Sequence, residues 1–111
     1  MKDDANYLSP TAWQQSRDLA ARLIDQKSDE DVYWRGVDMQ ALVGQHLPDD
    51  APGRLYVLWA ELTDVWELDE ARRPESVALM REASEDFLAL SEGSNDLDAY
   101  LTRWEERLTQ I

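Results

Sequence analysis

Glu61, Asp64 and Glu67 recur every third residue, and Glu82, Glu85 and Asp86 fall within one helical turn. Carboxylates gathered this way can hold a divalent cation, share acid–base work in hydrolysis, or meet the lysines and arginines of a partner protein. The first use wants better ligands than the chain offers. Bundle dimetal sites are built from Glu-x-x-His pairs on facing helices, and no such pair occurs. The alternating Asp/Asn, central Gly and terminal Glu of a calcium loop are also missing. The second use needs a carboxyl in an apolar setting that raises its pKa, and no acid of the sequence has obviously apolar neighbours. His46 is the only histidine. It falls at the expected end of a helix, where an imidazolium is favoured by the dipole, and no nucleophile elbow accompanies it. The four glycines are scattered and form no phosphate loop. We therefore expect no metal, no cofactor and no enzyme.

The third use fits two stretches. In Trp59-Ala60-Glu61-Leu62-Thr63-Asp64-Val65-Trp66-Glu67-Leu68-Asp69-Glu70, helical spacing puts residues 59, 62 and 66 on one face. Glu61, Asp64 and Glu67 then project as a negative ridge bordered by Trp66. The same grammar appears in Glu30-Asp31-Val32-Tyr33-Trp34, where adjacent Tyr33 and Trp34 cannot both face inward. An aromatic anchor ringed by charge is the anatomy of a protein interface. The expected site for a basic protein is Asp29, Glu30, Asp31, Glu61, Asp64 and Glu67, with Trp34 and Trp66 as anchors. A solvated acidic face over a core of aromatics is the plainer alternative.

These residues must be positioned by helices. Ser9 reads as an N-cap with Pro10 at the first helical position, opening a helix over about 10–26. Ser28 and Asp31 resemble a capping box for a second helix over 29–45, in which Gly36 and Gly44 are poor helix formers. Leu47 to Gly53 reads as a loop, with Asp50 as a possible cap. Apolar residues at helical spacing predict a third helix over 51–68 and a fourth over 74–91, ended by Gly93. Asn95 and Asp98 start a fifth, in which Leu97, Leu101, Trp104, Leu108 and Ile111 form a ladder to the C-terminus. That ladder is too short for a free-standing coiled coil; it can bury against its own bundle or against a second copy. No stretch alternates with a period of two. The expected fold is all-α, a compact bundle of four to five amphipathic helices in a single domain over 1–111, with a flexible segment at 1–8.

Charge sharpens the functional expectation. The chain has 24 Asp+Glu against 11 Lys+Arg and a formal net charge of −13. Residues 28–71 alone hold eleven acids and two bases. Such a field repels nucleic acid and anionic membranes and draws in a basic partner. Direct nucleic-acid binding and membrane insertion are not expected, since basic residues cluster only at Arg72-Arg73 and no apolar run spans a bilayer. There is no cysteine, which excludes disulfides and thiolate chemistry. Without an apolar leader near Met1, the expected location is cytoplasmic. In size, charge and helix count alone, the format resembles the small acidic helical immunity proteins of bacteriocin nucleases. That resemblance implies an inhibitor of a basic partner such as a nuclease toxin, and carries over no site residue. The alternatives are a nucleic-acid mimic that blocks a DNA-binding enzyme, and a regulatory or adaptor subunit. The interleaving of Trp and Tyr with the acids favours a shaped protein interface over a mimic.

Overall fold

The helices begin where small polar caps and prolines permit. In a computed structural model, which describes residues 8–44, 51–90 and 96–110, α1 (Pro10–Asp25) opens on Ser9, whose hydroxyl accepts the Ala12 N–H at 3.1 Å. α2 (Asp29–Val43) opens on Ser28, which accepts the Asp31 N–H at 3.1 Å, while Asp29, Glu30 and Asp31 complement the dipole. α3 (Ala51–Leu68) follows, then one 3-10 turn (Glu70–Arg72), α4 (Arg73–Leu88) and α5 (Asp96–Leu108). The described residues form an all-α bundle of five α-helices. The 3-10 turn has no periodic signal in the sequence; Asp69 creates it by accepting the Ala71 N–H. The expected roles of His46, Asp50, Gly93, Asn95 and Ile111 lie outside the described residues. So do residues 1–7; Leu8 is 7% exposed. It precedes the N-cap, where an apolar residue can staple onto the fourth helical position, here the buried Trp13.

α2 lies between α1 and α3, with α4 packed across all three and α5 laid against α3 and α4. The core runs through Trp13, Leu23, Val32, Met39, Leu58, Trp59, Met80, Phe87, Leu101 and Trp104, all essentially buried. Phe87 joins three helices, its ring 5.2 Å from that of Trp13 and 5.8 Å from that of Tyr100. Gly36 explains how α2 fits. A Cβ there would fall 2.6 Å from the Met80 sulfur and 3.2 Å from Thr63 Cγ2, so the poor helix former is what lets α2 approach α3 and α4 closely.

Several arginines hold the bundle together. Arg17 donates to the Leu88 carbonyl at the end of α4 and to the Leu90 carbonyl just past it, Arg81 to the Gln26 carbonyl past α1, and Arg73 to the Trp66 carbonyl in the last turn of α3. Each relieves a helix C-terminus, where carbonyls lack partners and the dipole is negative. Arg54 ties α5 to α3 through Asp98, Thr102 and Glu105. Arg107 pairs with Glu82 of α4 through two nitrogens and lies over the Trp104 ring.

Candidate protein-binding surface

α2 and α3 run antiparallel, so the first turns of α2 meet the last turns of α3. Tyr33 is the hinge of that meeting. Its ring stacks on Trp66 (5.1 Å between centroids, 14° between planes) and takes Trp34 edge-on at 5.1 Å. The Arg73 guanidinium covers Trp66 at 4.7 Å, a cation–π contact. The Tyr33 hydroxyl donates to Glu67 Oε2 at 2.5 Å, and Trp34 Nε1 donates to Glu30 Oε2 at 3.5 Å. Burial, the bond to Glu67 and the charges of Glu67 and Asp64 push the Tyr33 phenol up to about 12, against a smaller lowering by Arg73.

The two tryptophans assigned as anchors separate. Trp34 is 47% exposed. Trp66 is 9% exposed, because position 66 shares the inward face of α3 with the fully buried Trp59 and Leu62. Trp66 is thus withdrawn from direct reach, and its role is to back Tyr33. The acids also separate. Glu67 joins Tyr33 of α2, and Asp64 lies within electrostatic range of the same hydroxyl. Glu61 lies farther round α3 and lines a cleft toward α5 with Val57, Glu105 and Leu108. Asp29, Glu30 and Asp31 are exposed at the start of α2.

Among the described residues, none of Asp29, Glu30, Asp31, Glu61, Asp64 and Glu67 forms an ion pair, whereas Asp38, Glu70, Glu75, Glu82, Asp86, Asp98 and Glu105 each have an arginine partner. Glu67 also sits in the last turn of α3, whose dipole disfavours it. Exposed Leu68 (84%) ends the same helix. The sequence does not single out Tyr56, Gln40, Ala41 or Gly44, which with Tyr33, Val37 and Glu67 line an open groove between α2 and α3. The available signal is a second stripe on α2, Tyr33-Val37-Ala41-Gly44, beside the buried stripe Val32-Gly36-Met39-Val43.

No group of three or more His, Asp or Glu side chains converges to hold a metal ion among the described residues. No described helix is long and apolar enough to cross a membrane. No protein-family model, no curated protein and no solved structure matches the chain.

Proposed function

We propose that this chain is an acidic protein-binding module that neutralises a basic protein by electrostatic and steric occlusion, an inhibitor of the kind that guards a cell against a basic enzyme such as a nuclease toxin. The observation that carries the reading is exposed Trp34 beside Glu30, at the end of the bundle where Asp29, Asp31, Asp64 and Glu67 also lie, none of them ion-paired among the described residues. Carboxylates left in water raise the rate of encounter with a basic surface, and a half-exposed indole supplies the contact that slows departure.

The test is affinity capture from host lysate, with wild type and the Trp34→Ala/Asp64→Asn/Glu67→Gln variant side by side at rising salt. One stoichiometric basic protein held by wild type and lost by the variant supports the reading. A diffuse set of nucleic-acid enzymes that leaves both columns together as salt rises is the behaviour of a nucleic-acid mimic. Equal capture by both proteins, or none by either, overturns the assignment of this surface.

A further inference from the structure

The stripe Tyr33, Val37, Ala41 and Gly44 lies one-third of a turn or so round α2 from the stripe that fills the core. Tyr56 and Glu67 face it from α3, and the groove between them has a volume of about 480 Å³. From Tyr33 to Gly44 it runs about 16 Å at ~1.5 Å per residue, or three helical turns. Its floor is tightly made: a Cβ on Gly44 would come 3.1 Å from the Tyr56 ring, and the Gln40 side chain lies 3.2 Å from the Thr63 hydroxyl. Ala41 and Gly44 have no side-chain bulk to keep another backbone away. No further element among the described residues covers this face.

We infer that this groove receives an amphipathic helix of the partner, apolar along the buried line and bearing Lys or Arg where it passes Glu30, Asp64 and Glu67. The inference rests on the reading of the chain as a binder of a basic protein and adds which element of that protein docks, and where. Three observations select the occupant. The space lies between two antiparallel helices, whose ridges accept a third helix in the same way as they accept each other. The Tyr33 end of the groove is acidic: Glu67 lines it, Asp64 lies within electrostatic range of the Tyr33 hydroxyl, and Glu30 stands one turn before Tyr33 on α2, none ion-paired among the described residues. A second copy of this chain would bring its own net charge of −13 to the same place, so like charges oppose self-association there. Trp34, half-exposed next to Tyr33, closes one end and gives the incoming helix an aromatic contact.

The experiment is an amide NMR titration of the full chain with a synthetic 15-residue Leu/Lys peptide patterned as an amphipathic helix. A scrambled peptide of the same composition, without helical patterning, serves as the control. The amphipathic peptide should move the amides of Tyr33, Val37, Ala41, Gly44 and Tyr56, and the scrambled peptide should bind at least ten-fold more weakly. Ala41→Arg, at an exposed position, should cost ten-fold or more in affinity while its spectrum stays folded. Ala99→Arg, the same charge change on exposed α5, should cost far less. Equal binding of both peptides, with shifts spread over all acidic faces, overturns the groove but leaves the basic-partner reading standing. Shifts centred on the cleft between α3 and α5 also overturn it. Failure of both peptides to bind at low salt overturns the groove and counts against the basic-partner reading as well.

Discussion

Trp34 and Trp66 flank Tyr33, yet they answer to different tests. Replacing Trp66 by alanine removes a buried indole, its stack on Tyr33 and the platform beneath Arg73. It should cost about 3–5 kcal/mol of stability, read as a lower urea midpoint. Trp34→Ala should leave that midpoint within about 0.5 kcal/mol and weaken partner binding by at least about 2 kcal/mol; the opposite pattern would exchange their roles. Tyr33 makes a pH prediction. Its phenol holds its proton up to about 12, against an ordinary value near 10 in the unfolded chain. The folded state binds that proton more tightly, so this contribution is complete below pH 10 and is lost as pH rises from about 10 through about 12. Tyr33→Phe should lessen the fall of stability over that window, to which buried Tyr100, also raised by burial, contributes as well; denaturation at stepped pH reads the slope, and an unchanged slope would remove Tyr33 as a source. Periodicity made the exposure of one residue of the Tyr33–Trp34 pair legible, because neighbours on a helix are 100° apart. The burial of Trp66 follows from the face it shares with Trp59 and Leu62, but the acids on either side of it in the sequence suggested an exposed anchor instead. The Tyr33–Glu67 bond was not legible, since it joins residues 34 apart and depends on how α2 and α3 align.

At the scale of the element, α2 carries two demands: a core stripe on one side and an apolar stripe on the other. This is why its amphipathic pattern is blurred in the sequence, and why Gly36 reads locally as a helix weakness. Gly36→Ala would gain up to about 1 kcal/mol in helix propensity. It should lose about 1–3 kcal/mol in overpacking, because the Met80 sulfur it meets is itself fully buried. A net fall in thermal stability is expected; a rise would show that Met80 can yield. α5 is attached in two ways. Leu101→Ala should cost about 2–5 kcal/mol. Arg107→Gln, which breaks a half-exposed pair with Glu82, should cost about 1 kcal/mol or less and lose its effect at high salt. Hydrogen exchange of the α5 amides measures both, and equal effects would contradict the division. The ladder of α5 was legible because every rung is apolar. The buried Ser16, Ser76, Ser84 and Thr63 were not, since small polar residues look like surface until close helix packing encloses them. Ser76 reaches the Leu62 carbonyl, and Thr63 those of Trp59 and Ala60.

At the scale of the molecule, the radius of gyration of 13.3 Å matches the ~13 Å expected of a compact chain this long. The bundle was legible as five helical periods, with the ends of the described helices at Pro10, Asp29, Ala51 and Leu68 where caps, prolines and periodicity put them. What composition could not convey is the division of charge. Most described arginines settle on helix ends and on the acids around α4 and α5, and the carboxylates at the meeting of α2 and α3 form no ion pair among the described residues. That division is the central claim, and the rates of association and dissociation of the captured partner, followed across ionic strength, test it most directly. For wild type the association rate should fall steeply with salt. Asp64→Asn/Glu67→Gln should lower it and flatten its salt dependence, while Trp34→Ala should leave association nearly unchanged and hasten dissociation. Association rates with the same magnitude and salt dependence in wild type and the neutralised variant would contradict the account.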